Sequence, residues 1–259
     1  MSGPSSGETR RLPVSCFIIA KNEADRIGRT IAAVAPWLDE VIVIDSGSTD
    51  GTQKIAEAAG ARVMFNAWSG FGQQKRFGES QCRNDWILNV DADEVVSPEL
   101  KASIEALFAA GAPSLAGYSV RISIVYPGKS EPRLLANDHY AVRLYDRTRI
   151  RYKDSTLFDR VDSRGEKTGH LGGLLYHYSL RSFSDLARKQ DERSAYNAHH
   201  SKPRSCLELG PRLVFEFPVT FLKYYFVRTH ILGGWAGLKY ASIISYYRWL
   251  RIVRMMSDT

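Results

Sequence analysis

Three short apolar runs, each closing on a polar side chain, constrain this chain more than any other feature. Residues 14–20 (VSCFIIA), 41–44 (VIVI) and 86–90 (WILNV) are near-continuous stretches of strand length. Such runs suit strands buried on both faces, as in a parallel sheet. Helical patterns lie between them. Ile27, Ile31 and Val34 recur at i, i+4, i+7 before Pro36 closes the segment. A short Ala-rich helix runs to Ala59 with Gly60 as its C-cap. Residues 62–65 form a further strand, residues 70–82 a helix carrying Gln73, Gln74, Lys75 and Arg76, and residues 98–109 a helix with Pro98 in its first turn. The order β-α-β-α-β-α-β implies an α/β fold with parallel strands and right-handed crossovers.

The strand ends point to chemistry. The first run meets Lys21-Asn22-Glu23, the second Asp45, and the third Asp91-Ala92-Asp93-Glu94. Polar side chains at the same end of several parallel strands build one crevice, the place where open α/β sheets bind ligands. Asp91 and Asp93, one residue apart, suit a hard divalent cation that also holds phosphate oxygens. Alone, such an acidic pair is as readily a solvated turn. The acids and amide ending the neighbouring strands favour the crevice.

Past residue 117 the texture changes. Residues 118–126 and 140–145 suit antiparallel or edge strands, residues 156–161 set Asp159 in a short apolar context, and residues 172–178 read as a strand carrying His177. A helix over 182–197 opens on a Ser182-x-x-Asp185 cap. Residues 1–12 read as a disordered leader, 13–200 as the main domain and 201–259 as a basic, aromatic-rich helical extension. That extension holds nine Lys/Arg against three Asp/Glu, most of the net charge of +7. Eleven aromatics fall between Phe215 and Trp249. With no uncharged apolar run of the ~18–20 residues needed to span a bilayer, residues 211–259 are expected to lie along an anionic membrane surface. The alternatives are a subdomain packed on the body, or a dimer interface. Three widely spaced cysteines, Cys16, Cys82 and Cys206, form neither a disulfide framework nor a zinc pattern and fit a reducing compartment.

The opening strand with Lys21-Asn22-Glu23, the run from Val43 to Thr52 (VIDSGSTDGT), Gln74-Lys75-Arg76 and Asp91-Ala92-Asp93-Glu94 together resemble the family 2 glycosyltransferases. Within that family the chain looks most like the small lipopolysaccharide-core enzymes related to heptose β-1,4-glucosyltransferase, which share the AKNE, VIVIDSGSTDGT and DWILNVDADE segments and a later His-Tyr-Ser, here His177-Tyr178-Ser179. The resemblance implies a GT-A fold with a mixed, mostly parallel sheet. It implies inverting transfer of a hexose from a nucleotide-diphosphate sugar, with UDP-sugar as the expected donor. It further implies Mg²⁺ or Mn²⁺ and a glycolipid or lipopolysaccharide-core acceptor at the cytoplasmic face of the membrane. A polyprenyl-phosphate or other membrane-glycan transferase is the neighbouring alternative.

By the same resemblance, Glu23 and Asp45 line the nucleoside pocket, and Ala20 and Gly47 let the nucleotide approach. Asn22, Ser48, Gln74 and Ala92 complete the donor site. Asp91 bonds ribose or the metal's shell, Asp93 ligates the metal, and Lys75 offsets diphosphate charge. Asp159 is the expected base, with Asp154 and Asp138 as competitors. The relatives place His-Glu where this chain has Phe158-Asp159, so the base keeps its carboxylate and loses its neighbour. The other role for Asp159 is an ion pair with Arg160 or Arg164. His177 either completes the metal shell or is a core histidine bonded to backbone.

Three rival readings are weaker. A nucleotidyltransferase would carry a glycine-rich signature after the first strand, yet no glycine occurs there before Gly28. A nucleic-acid-binding protein would use the basic extension as a stacking platform, but glycines and aliphatic pairs interrupt its aromatics, so no nucleic-acid partner is expected. A non-catalytic sugar-nucleotide-binding scaffold is disfavoured by the intact acids at 23, 45, 91 and 93.

Overall fold

The structure is a computed structural model describing residues 11–136, 138–156, 159–201 and 205–257, with backbone alone at 206 and 207. Most of the expected leader, and Phe158, lie outside these residues. The chain divides into two compact units, one of residues 1–122 and 139–177, the other of residues 123–138 and 178–259.

The first unit opens with β1 (Leu12–Ala20), α1 (Ile27–Ala32), β2 (Leu38–Asp45), α2 (Thr52–Ala58), β3 (Arg62–Phe65), α3 (Phe71–Gln81) and β4 (Trp86–Asn89). It continues with β5 (Glu94–Val96), α4 (Pro98–Ala109), β6 (Gly117–Ile124), β7 (His139–Asp146), β8 (Arg151–Tyr152), β9 (Val161–Asp162) and β10 (Thr168–His177). Eight strands form one sheet in the order β3-β2-β1-β4-β7-β6-β10-β5, and β8-β9 form a separate pair. The pairs β3-β2, β2-β1 and β1-β4 are parallel, as the alternation with helices requires. Beyond β4 the sheet turns antiparallel at β4-β7, β7-β6 and β10-β5.

Alternation along the strands explains their unbroken apolar runs. Val14, Cys16 and Ile18 of β1 join one core cluster with Val41, Val43 and Leu88. Phe17 joins a second cluster with Ile42, Ile44, Ile87 and Tyr145. Successive side chains thus enter cores on opposite faces, so most positions on both faces are apolar. Each fully buried Ile or Val contributes roughly 1.5–3 kcal/mol relative to exposure. Connections on either side of β1 run in opposite directions, with β2 on one side and β4 on the other, and this is where such sheets leave a crevice.

The second unit is largely helical: α5 (Phe183–His199), α6 (Cys206–Leu222), a π-helical turn (Lys223–Val227), a 3-10 turn (His230–Gly233) and α7 (Gly234–Ser257). Ser182 caps α5 by accepting from the Asp185 N–H at 2.9 Å, as its sequence predicts. The α7 helix packs on both α5 and α6, and Ala198, Leu209, Ile252 and Met255 form a small core. Among the described residues, no helix is long and apolar enough to cross a membrane.

Candidate active site

The loops after β1 and β2 are stitched together before any ligand is considered. Asn22 adopts a left-handed backbone (φ +56) that turns its side chain toward the second loop, where Oδ1 accepts from the Thr49 N–H at 2.9 Å. The Asn22 N–H donates to Ser48 Oγ and the Glu23 N–H to Thr52 Oγ1, both at 2.8 Å. Asp45 closes β2 fully buried, and its carboxylate organises its own turn. Oδ1 accepts from the N–H groups of Gly47 and Ser48 and from Gln53 Nε2, while Oδ2 accepts from the Ser48 hydroxyl. Burial alone would raise this carboxyl, but those bonds hold it below its ordinary value. Gln74 stands behind the same loop, bonded to Asn66 and to the Ser46 hydroxyl.

Beyond β4 the acidic turn is pinned from both sides. The Asp91 N–H donates to Glu94 Oε2 at 3.0 Å, and the Thr30 hydroxyl donates to the Ala92 carbonyl at 2.9 Å. The three-residue strand β5 follows directly and pairs Glu94 with His177 of β10, which brings the imidazole to the acids. His177 Nε2 lies 3.4 Å from Asp93 Oδ1, while Arg26 Nη1 lies 3.3 Å from Asp93 Oδ2. Burial lowers the His177 pKa but Asp93 outweighs it, leaving the imidazole above its ordinary value.

Two buried cations neutralise the remaining acids. Arg143, on β7 and 6% exposed, donates Nη1 to Asn89 at 2.8 Å. Its Nη2 donates to Asp91 at 2.8 Å and to Glu94 at 2.7 Å. Lys75 is fully buried on α3, with Nζ 2.8 Å from Asp91 Oδ1 and 2.9 Å from Asp159. Burial works against the Lys75 charge, but Asp91 overcomes it and raises the ammonium pKa, so Lys75 stays protonated. Burial likewise disfavours ionised Asp91, and Arg143 and Lys75 hold it well below the usual carboxylate range.

The Asp159 segment is docked by a glycine. Gly70 (φ +133) sits so close that a Cβ there would meet Thr156 Cα at 2.5 Å, and the Gly72 N–H donates to the Ser155 carbonyl at 3.0 Å. Asp159, for which an ion pair with Arg160 or Arg164 was the alternative role, pairs with Lys75 at 2.9 Å. Asp154 is exposed and absent from the walls of the cavities described below, and Asp138 belongs to the second unit.

A cleft of about 400 Å³ opens at the crevice, walled by Ala20, Glu23, Asp91, Ala92, Asp93 and Asp159, with Trp68 and Phe71 at its side. A second cavity of about 350 Å³ is lined by Asp91, Arg143, Tyr152, Asp159, Arg160 and His177 among others. Asp91 and Asp159 belong to both. Ala20, Glu23, Asp91, Ala92, Asp93 and Asp159 thus meet at one cleft, with Lys75 beside the acids and His177 beside Asp93. Asn22, Asp45, Gly47, Ser48 and Gln74 are not among the residues lining that cleft; they bond within and between the neighbouring loops.

Sequence reasoning missed Arg26, Arg143, Trp68 and Phe71. A charged residue within the apolar stretch His139–Asp146 was the available signal for Arg143. Trp68 and Phe71, in edge-to-face contact at 4.8 Å and both about half exposed, had none beyond exposure.

Among the described residues, no group of three or more His, Cys, Asp or Glu is placed to hold a metal. Asp93 and His177 offer one oxygen and one nitrogen donor, leaving most of a six-coordinate shell to phosphate oxygens and water. With phosphate and water oxygens completing it, such a set would suit a hard divalent cation such as Mg²⁺ or Mn²⁺.

The model of glycosyl transferase family 2 matches residues 15–165, and the chain belongs to that family. An uncharacterized glycosyltransferase of Rickettsia prowazekii is 36% identical over 252 residues, covering 93% of this chain and 86% of its own length. The lipopolysaccharide core biosynthesis glycosyltransferase LpsC of Rhizobium meliloti is 29% identical over 225 residues, covering 83% of this chain and 82% of its own. Among solved structures, glucosyl-3-phosphoglycerate synthase of Mycobacterium tuberculosis with Mn²⁺ and UDP-glucose is similar at 20% identity, covering 74% of this chain and 80% of that one with a TM-score of 0.43.

Proposed function

We propose that this family 2 glycosyltransferase moves a hexose, with inversion, from a nucleotide-diphosphate sugar to a lipopolysaccharide-core or related glycolipid acceptor at the cytoplasmic face of the membrane. The observation that carries the reading is the shared wall of the two cavities: Asp159 lines both, and Lys75 ties it to Asp91. The donor occupies the cleft bounded by Ala20, Glu23 and Asp93, and the acceptor hydroxyl approaches from the adjoining cavity. A UDP-sugar is the donor class this reading favours.

Asp159 takes the acceptor's proton as its oxygen attacks C1 from the face opposite the leaving diphosphate. Lys75, charged and buried, offsets negative charge on the departing diphosphate, and its position is fixed before the reaction begins. Asp93 and His177 would hold a divalent cation, which would supply further charge neutralisation at the diphosphate. Arg26, on the second oxygen of Asp93, keeps that carboxylate aimed. The acceptor class follows the likeness to LpsC and the concentration of positive charge in residues 201–259.

The test is Asp159→Asn assayed with a UDP-sugar panel and lipopolysaccharide-core acceptor. Donor affinity stays within about twofold, and transfer falls about 10²-fold or more, the range for loss of a general base. Undiminished transfer by the variant would move the base elsewhere.

A further inference from the structure

The helical unit carries a polar cavity unrelated to the acidic turn. It measures about 250 Å³ and lies among α5, the π-helical turn and α7. Arg193, Arg248 and Arg251 line it with Gln190, Asn197 and Tyr247, and no carboxylate is among its lining residues. The acids nearby on α5 are engaged elsewhere: Asp191 with Arg254 at 2.7 Å, and Glu192 with Arg188 at 2.7 Å. Arg248 reaches Glu216 through Nε at 3.1 Å.

A second observation points into the same cavity. Ser194, 4% exposed on α5, lines the pocket, and its buried hydroxyl has no hydrogen-bond partner. A helical serine ordinarily bonds the carbonyl four residues back, as Ser245 does to Ala241 at 2.7 Å on α7. Burying a hydroxyl unpartnered is costly. Arg193 and Arg251, lining the same cavity as an unspent hydroxyl, suit a group with several acceptor oxygens and negative charge, which is the chemistry of a phosphate.

Next to this pocket runs a groove of about 340 Å³ along α6, lined by the apolar Pro211, Phe215 and Val219 and by Thr220, with Arg212, Glu216 and Lys223 also on its wall. Tyr224 and Arg248 line both cavities, so pocket and groove adjoin at these side chains. Phe215 and Val219 are 60% and 59% exposed, so the groove wall is open to solvent. An arginine-lined pocket beside a groove with an exposed apolar wall matches one ligand shape, a phosphate head carrying a hydrocarbon chain.

We propose that the helical unit contains a binding site for a phosphate-bearing lipid, with its head among Arg193, Arg251 and Ser194 and its chain along α6. This is a discrete site, distinct from general attraction of a basic surface to an anionic bilayer, and it does not depend on the transferase reading.

The test uses the full chain and vesicles of phosphatidylcholine with or without phosphatidic acid, together with water-soluble short-chain phosphatidic acid and inorganic phosphate as competitors. Wild type binds the phosphatidic acid vesicles, and short-chain phosphatidic acid competes much better than inorganic phosphate. Arg193→Gln and Arg251→Gln each weaken binding about tenfold, the expected loss of a charge-assisted contact. Lys167→Gln, an equal charge change at an exposed position of the other unit, leaves binding unchanged. Val219→Glu weakens vesicle and short-chain lipid binding while inorganic phosphate still binds with wild-type affinity. Circular dichroism confirms folding of each variant. Equal losses for Lys167→Gln and the arginine variants would reduce the effect to surface charge and overturn the proposal. Competition by inorganic phosphate as strong as by short-chain phosphatidic acid would also overturn it, because the groove would then hold no chain.

Discussion

Replacing Arg143 by methionine removes the cation between Asp91, Glu94 and Asn89 while keeping an apolar chain of similar reach. The native guanidinium makes three bonds of 2.7–2.8 Å to those side chains and is nearly excluded from water. Removing one member of a buried ion pair costs about 3–5 kcal/mol, because a buried charge is left without its partner. Lys75 still holds Asp91 at 2.8 Å, which places the expected loss near the lower end, about 3 kcal/mol. Against a typical total of about 5–15 kcal/mol this is a large fraction. Arg143→Lys keeps the charge but cannot reproduce the fork, and it is expected to lose about 1–2 kcal/mol. Equilibrium urea unfolding followed by tryptophan fluorescence measures both. With a slope of about 1–3 kcal/mol per molar urea, the methionine variant shifts the midpoint down by about 1 M or more. A midpoint within about 0.3 M of wild type would refute the view that Arg143 neutralises the acidic turn.

Two further perturbations test other parts of the account. Gly70→Ala puts a Cβ against Thr156 in a backbone region only glycine adopts easily; it should cost about 1–3 kcal/mol and impair transfer more than donor binding, as read from separate turnover and binding titrations. His230, buried against Tyr126 and near Arg133 and Arg228, has its pKa lowered to about 4, first by burial and then by the two arginines. Its unfolded value is about 6.5, so the unfolded chain gains the proton first as pH falls. The stability His230 contributes is complete above about pH 6.5 and is lost progressively toward pH 4, by about 1–2 kcal/mol after allowance for solvent screening. Urea midpoints for wild type and His230→Gln across that range should converge on acidification; parallel curves would contradict the assignment.

The parallel half of the sheet was legible because each strand there is buried on both faces and written as an unbroken apolar run. Arg62–Phe65 and Pro98–Ala109 occur with the expected bounds, and the other early elements differ by a few residues at their ends. Polar ends of β1, β2 and β4 likewise marked the crevice. Strand β5 was missed because three residues following an acidic turn carry no periodicity, yet it is the strand that brings His177 to Asp93. Lys75 and Arg143 were hard to place for a common reason. A charged residue is ordinarily read as solvent-facing, and only the spatial coincidence of Asp91, Glu94 and Asp159 makes burying these cations favourable. The buried Asp45 carboxylate bonds its own turn, a local arrangement that residue type alone does not disclose.

Calorimetric titration of UDP, with and without Mn²⁺, into wild type and Asp93→Ala tests the central claim most directly. The account predicts that Mn²⁺ strengthens UDP binding to wild type about tenfold or more, and that the variant loses this enhancement while remaining folded. Equal, metal-enhanced binding by Asp93→Ala would contradict the placement of the donor and its cation at the acidic turn.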